Sequence, residues 1–319
     1  MSGRVLVTGA SGFVGAALVA ALVRAGKRVK AATRGPEARL FQGDVEVAAV
    51  PDFQGTVDWK PALAGVDTVV HLAGIAHVGL KLDPAVYDRV IHATTAELAR
   101  ACAQAGVRRL VFLSSVRAQS GAAAAHVLRE DDAPHPAETY GRAKLKAEAA
   151  VRSGATPWTI LRPAMAYGPG VKGNLASLLR IADTPWPLPF ASFKNLRSLV
   201  SLENLIAAIM FALDSDAAVN ELYLVADPKP ATLAEIVAAL RQGLGRPPRL
   251  YPVPPALFAT VLTALGHADV WERLGGSLVV DPAKLIAAGW RPDANTKAGL
   301  ARMAAATLRA RATDSRALR

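Results

Sequence analysis

"RVLVTGASGFVGAALVAALVRAGKRVKAATR", Arg4 to Arg34, reads as strand, glycine-rich turn, helix and second strand. Val5, Leu6 and Val7 form the short apolar run of a parallel strand covered on both faces. Apolar residues from Val14 to Val23 continue as a helix sheathed by protein, and Gly26 closes it because glycine enters the left-handed region without strain. Arg28 to Thr33 supplies the second strand. Gly9, Gly12 and Gly15 punctuate the turn at three-residue intervals. That spacing bends the backbone sharply, admits a pyrophosphate to the main chain and lets the helix pack close to the strand. The phosphates of a dinucleotide then meet free amides and a favourable dipole at the helix N-terminus, around Ser11, Gly12, Phe13 and Val14. The pattern is not GxGxxG, so it is the strand–turn–helix context that favours nucleotide binding over a purely structural turn.

The end of the second strand sets the choice of cofactor. An acidic residue there would hold the ribose hydroxyls of an unphosphorylated dinucleotide. Thr33 and Arg34 stand there instead. An arginine suits a ribose phosphate, which favours NADP(H) over NAD; the bland alternative is a solvated loop residue.

The alternation continues outward. "VEVAAVPDF" offers a third strand ending near Asp52, within reach of an adenine. "DTVVHLAGIAH" offers a fourth, with Ala73 and Gly74 giving close passage beside the cofactor. "TAELARACAQAGV" is a helix, "RRLVFLSS" a fifth strand, "YGRAKLKAEAAVRSG" the next helix and "WTILRPAMAYGPG" a sixth strand. Strands and helices alternating at this rhythm give an α/β protein with a doubly wound parallel sheet.

Composition narrows the function classes. At 319 residues, about half of them apolar, the chain can bury a large core. Cys102 is the only cysteine, which rules out an intrachain disulfide and suits a reducing cytoplasm. The formal net charge is +11, but the cations are scattered without interleaved aromatics, so nucleic acid is not the expected partner. Their densest cluster is the tail "RMAAATLRARATDSRALR", read as a frayed helix end in preference to a contact with an acidic partner or an anionic membrane surface. The uncharged run Val5 to Val23 resembles a membrane span, but Thr8, Ser11 and the glycines favour a buried strand, turn and helix. A soluble cytoplasmic protein without membrane insertion is expected. No cluster of His, Cys and carboxylates suggests a metal site.

With "TGASGFVG", "HLAG", "FLSS", "YGRAK" and "LRPAMAYGPG" in that order over roughly the first 170 residues, the sequence resembles the extended short-chain dehydrogenase/reductases, the NAD-dependent epimerase/dehydratase family. The likeness is to its nucleotide-sugar branch. "GVKGNLASLLR", "PLPFASFKNLRSLVSLENLIAAI" and "RLGGSLVVDPAKLIAAGWRP" extend it to the UDP-glucose 4-epimerase-like and UDP-N-acetylquinovosamine 4-dehydrogenase-like subgroup. The resemblance implies a Rossmann domain over 1–167, with a returning segment near 197–226, and a smaller interleaved lobe, mainly substrate-binding, over 168–319. It implies an NAD(P)-dependent enzyme of surface polysaccharide synthesis, a 4-epimerase or 4-keto reductase acting at carbon 4 of a UDP-hexose or UDP-N-acetylhexosamine. A homodimer is compatible with it.

Carried over residue by residue, the family's YxxxK falls on Tyr140 and Lys144, and its strand-end hydroxyl on Ser115. Pro163 borders the nicotinamide. Asn174 and Arg197 match the diphosphate-binding asparagine and arginine, with Arg273 a weaker third. Two departures stand out: His92 replaces the usual asparagine of the helix after the fourth strand, and "RAQSGAAAAHVLRE" replaces the glycine-aromatic turn facing the sugar. Fold similarity fixes the cofactor better than the sugar.

The chemistry explains the residue types. Hydride transfer at a sugar carbon requires a proton to leave or join the attached oxygen, and a phenol titrating near ~10 must be tuned for that. Residues four apart on a helix share a face, so Lys144 rises beside Tyr140 and is expected to lower its pKa. Ser115 would share the proton, and Lys144 would bond the nicotinamide ribose. Arg142 and Lys146 on the same helix read as solvated charges, and His71, His77 and His92 as packing or loop histidines. Other readings of the whole chain are an NADPH-dependent reductase of a non-sugar ketone and a non-catalytic NADP-binding subunit.

In the second half, "DTPWPLPF" is an irregular crossing and "LENLIAAIMFAL" an amphipathic helix. "ELYLVAD" is a further sheet strand, and "TLAEIVAALRQGLG" is a helix with a capping threonine and glutamate. "PPALFATVLTALG" is apolar enough for a membrane-surface contact, although core or lobe-interface packing is the preferred expectation.

Overall fold

The computed structural model describes residues 3–35, 41–75, 82–264, 266, 271, 275–293 and 295–317. The sheet-forming strands are β1 Arg4–Thr8, β2 Arg28–Thr33, β3 Val45–Ala49, β4 Thr68–His71, β5 Arg109–Leu113, β6 Trp158–Pro163 and β10 Glu221–Val225. They form one parallel sheet in the order β10-β6-β5-β4-β1-β2-β3. Short pairs join β7 Met165–Tyr167 to β9 Leu199–Ser201, and β8 Leu196–Arg197 to β11 Ala231–Thr232. The order reverses beside β1, where Val7 pairs with Ala31 of β2 on one side and Val70 of β4 on the other. In such sheets ligands sit beyond the carboxyl ends of the strands at this switch point.

Helices cover both faces. The chain order is α1 Phe13–Arg24, α2 Lys60–Leu63, α3 Pro84–Tyr87, α4 Thr94–Gln104, α5 Thr139–Arg152, α6 Gly173–Ala182, α7 Leu202–Asp214, α8 Leu233–Gly243, α9 Pro255–Ala264, α10 Ala283–Ala288 and α11 Thr296–Ala317. Period-two alternation on β1 sends Val5 and Val7 into the core under α1 and α7, and Leu6 into the core under α4 and α5. Leu18 and Leu22 of α1 are fully buried, each worth roughly 2 kcal/mol of transfer free energy. Leu285 and Trp290 join the same core, so residues from the C-terminal part complete the packing of the parallel sheet.

Several sequence expectations are sharpened. The helix expected at residue 95 begins at Pro84 and reaches α4 through a π-helical turn over Asp88–Ala93. The expected sixth strand divides: after Ala164 donates to Val225, the chain leaves the main sheet and Met165–Tyr167 pairs with β9. α7 is buried on most of its surface rather than along one stripe. The basic tail continues the α11 helix through Ala317.

The preferred expectation for "PPALFATVLTALG" is met only in part among the described side chains. On α9, Pro255, Ala256, Leu257, Thr260, Thr263 and Ala264 are exposed and only Phe258 and Ala259 are half-buried among the described side chains. Phe258 docks onto Phe190 and Phe193.

The outer edge of β10 is answered by side chains. Glu130 accepts from the Leu224 amide at 2.8 Å, and Lys284 donates to the Leu222 carbonyl at 3.0 Å. Among the described residues no helix is long and apolar enough to cross a membrane, and no His, Cys, Asp and Glu group could hold a metal ion.

Candidate functional site

The glycine turn is built by contact. A Cβ on Gly15 would lie 2.1 Å from the Gly9 carbonyl oxygen and 2.8 Å from Ala10 Cα, so only glycine lets α1 start this close to β1. Gly9 takes a left-handed φ of 68°. Gly12, the N-cap of α1, has no capping side chain and the first turn holds no acid, whereas Ser201 and Thr232 cap α7 and α8. The first amides of α1 are therefore left for an anion. Ser11 and Gly12 are exposed while Phe13 and Val14 are half-buried.

Ala73 is held by its amide donating to Thr8 Oγ1 at 3.3 Å. Gly74 is exposed: among the described residues a Cβ there would meet only Ile91 Cγ1 and Lys144 Nζ, each at 3.9 Å. Free amides, a glycine cradle and an open passage beside a buried amine fit a dinucleotide. Arg34 is exposed, just past Thr33, whose hydroxyl donates to the Gly35 carbonyl at 2.5 Å. Asp52 is exposed beyond β3 and accepts from the Gln54 amide.

Ser115, Tyr140 and Lys144 come together next to this passage. Ser115 follows β5 and accepts from the Arg117 amide at 3.2 Å, which leaves its own proton for the hydrogen bond with Tyr140. Lys144 donates to the Leu113 carbonyl at 2.8 Å and lies 4.7 Å from the centroid of Phe112. A Cβ on Gly141 would fall 2.1 Å from the Arg117 carbonyl oxygen, so the first turn of α5 sits hard against the turn after Ser115. Pro163, half-buried, ends β6.

The electrostatics correct one expectation. Tyr140 is half-buried, and burial pushes the phenol up to about 12. The Ser115 hydrogen bond and the Arg117 guanidinium oppose that rise without reversing it. Lys144 is thus not what tunes the phenol in the protein alone. Its own amine is drawn down to about 8 by burial, against the pull of Glu148.

Beneath the site lies a polar network the sequence reading missed. Glu148, one turn past Lys144, pairs with Arg162 of β6 at 2.6 and 2.9 Å and accepts from Ser114 at 2.5 Å. Arg162 also donates to Gln119 at 3.0 Å. The signal was present as a carboxylate at i+4 from Lys144 on the face that α5 buries. His71 lies between Thr8 Oγ1 at 2.7 Å and Thr95 Oγ1 at 3.1 Å, and burial holds it down at about 3, so it is a neutral packing group. Arg117 was also missed: it pairs with Glu138, the N-cap of α5. His92 faces Asp88 at 3.3 Å, and Lys146 also reaches Asp88, at 2.8 Å, rather than standing alone; Arg142 is exposed. His77 lies outside the described residues.

The predicted substrate residues divide. Arg197 is half-buried, donates to the Ala122 carbonyl at 2.8 Å and lies near enough to Arg117 for repulsion; burial and that neighbour draw it down to about 10. Arg117 and Arg197 thus set two guanidiniums near Ser115 and Tyr140. Asn174 is exposed in the first turn of α6, and no hydrogen bond joins it to the cluster. Arg273 lies outside the described residues. A separate cavity lined by Glu130, Arg152, Trp158 and Lys284 opens at the amino ends of β6 and β10, away from this cluster.

A doubly wound sheet whose glycine turn, open Gly74 passage and Ser–Tyr–Lys set share one edge defines an enzyme of the dinucleotide-dependent class. The chain belongs to the NAD dependent epimerase/dehydratase family, whose sequence profile matches residues 5–226. A Vibrio cholerae protein named UDP-glucose 4-epimerase is 34% identical over 317 residues, covering 96% of both chains. The solved MoeE5 complex with UDP-glucuronic acid and NAD superposes with a TM-score of 0.78 at 25% identity, covering 97% of this chain and 100% of that one. The Thermus thermophilus UDP-glucose 4-epimerase complex with NAD gives 0.74 at 25% identity, covering 96% and 99%.

Proposed function

We propose that the chain is a UDP-sugar 4-epimerase that uses NAD, with Tyr140 as the general acid/base. The observation that carries this reading is the Ser115–Tyr140–Lys144 set beside Gly74, at the edge where the glycine turn leaves its amides free. NAD is the cofactor in both similar complexes above, so a preference for NADP(H) rests on Arg34 alone.

When bound, the nicotinamide supplies a hydride acceptor and, oxidised, a positive charge beside the phenol. Tyr140 takes the proton of the C4 hydroxyl and later returns one to the C4 oxygen of the ketone. Ser115, its hydroxyl fixed by the Arg117 amide, donates to the tyrosine oxygen and stabilises its charged form. Lys144, held by Leu113 and Phe112, bonds the nicotinamide ribose. Arg197 meets the diphosphate, whose charge offsets the two guanidiniums, and Asn174 and Arg273 complete that subsite. Asp52 borders the adenine, and Pro163 the nicotinamide. We assign the sugar-nucleotide contacts mainly to 168–319 and place the protein in cytoplasmic synthesis of surface polysaccharide.

The test is conversion of UDP-glucose to UDP-galactose, and of the N-acetylated pair, by protein carrying NAD and given no other reductant. Turnover of either pair supports the reading. Consumption of one NADPH per product would replace it with the reductase that Arg34 suggests. Absence of thermal stabilisation by UDP would favour a non-sugar ketone.

A further inference from the structure

The C-terminal lobe carries a strip of exposed apolar and cationic side chains that the catalytic site does not use. Trp186 is 71% exposed, and Leu257, Tyr251, Leu308 and Ile181 are each between 43% and 56% exposed. Hydrogen bonds and ring contacts string these positions together. Arg311 of α11 reaches Asp183 at 2.9 Å, three residues before Trp186. Arg241, itself buried, donates to the Trp186 carbonyl at 3.1 Å and pins the backbone beneath the indole. Leu188 exchanges backbone bonds with Arg249 and Tyr251. Phe258 then links α9 to Phe190 and Phe193, at ring distances of 6.0 and 5.4 Å. The stretch from Tyr251 to Gly266 contains no charged residue.

Cations outnumber carboxylates along this strip. Segments 180–194, 246–264 and 303–311 contain Arg180, Lys194, Arg246, Arg249, Arg309 and Arg311 against one carboxylate, Asp183. Both Asp183 oxygens are occupied, by Arg246 and Arg311. Pairing the strip with a second copy of itself would set arginine against arginine. An anionic bilayer satisfies both halves of the pattern, because indole, phenol and leucine side chains settle at the headgroup boundary while cations meet the surface charge.

We propose that this strip docks the enzyme peripherally on an anionic lipid surface. The charge is complementary, the overall +11 adds to the attraction, and no spanning helix is required. The fixed Trp186 backbone presents the anchor without prior rearrangement.

Co-sedimentation of the full chain with phosphatidylcholine vesicles, with and without phosphatidylglycerol, tests the proposal. Binding is expected only to the phosphatidylglycerol vesicles and is expected to weaken as salt rises. Arg180→Gln and Arg249→Gln should each lower partitioning roughly fivefold. Trp186→Ala should lower it further, while melting temperature and turnover in solution stay at parental values. Absence of sedimentation, equal sedimentation with neutral vesicles, or a dimer that becomes monomeric on Trp186→Ala by light scattering would overturn the proposal.

Discussion

Glu148→Gln tests whether the buried pair supports the site. The two side chains keep only 1% and 4% of their surface exposed and share two hydrogen bonds, with Ser114 completing the carboxylate. Glutamine preserves the shape but leaves Arg162 as a buried charge without its counter-ion, a loss of about 3–5 kcal/mol. In a chain of this size that lowers the melting temperature by roughly 5–7 °C. A double variant, Glu148→Leu with Arg162→Met, removes both charges and should recover most of the loss, because the desolvation cost disappears with them. A second readout separates positioning from plain stability. Glu148 is the group that holds the Lys144 amine up, so its loss drives that amine below about 8. Less of it is then charged at neutral pH, and the alkaline limb of the pH–rate profile moves to lower pH. Calorimetry of the single and double variants, with pH–rate profiles, decides the matter. A single variant melting within about 2 °C of the parent, with an unshifted profile, refutes the reasoning.

Tyr140→Phe should keep the melting temperature and lower kcat by about 10²–10⁴, read in the epimerisation assay. Gly15→Ala drives a Cβ into the Gly9 carbonyl and should abolish thermal stabilisation by NAD as well as destabilise the turn. His71 has a folded pKa near 3, below the ordinary 6.5, so the unfolded chain binds the extra proton between those values and stability falls as pH falls through that window. The limiting slope is about 1.4 kcal/mol per pH unit, and denaturant titrations between pH 6.5 and 5 should show it flattened in His71→Gln.

The nucleotide half was legible because its signals are local. Gly9, Gly12 and Gly15 each answer to a steric need within a few residues, and Tyr140 and Lys144 share a helix face by simple periodicity. Arg197 could be chosen from its motif, but its proximity to Arg117 arises from contact between segments 80 residues apart. Arg117 and Arg162 act through partners on other elements, so no spacing rule pointed to them. The direction of the Tyr140 shift was misjudged for a related reason: spacing reports which charges are neighbours, whereas burial depends on everything packed around the hydroxyl. The described side chains of α9, mostly exposed, show the converse, since an apolar run states what a segment can cover without stating whether the fold has a place for it.

The guarded edge of β10 has a bearing on how the chain is made. Glu130 is synthesised early, but the loop bearing it is held by Ser277 and Val279, which bond Ala124 and Leu128, and Lys284 comes later still. On a ribosome the sheet's open flank would therefore stay unguarded until nearly the whole polypeptide has emerged. A product cut short before residue 277 would present β10 as a sticky border.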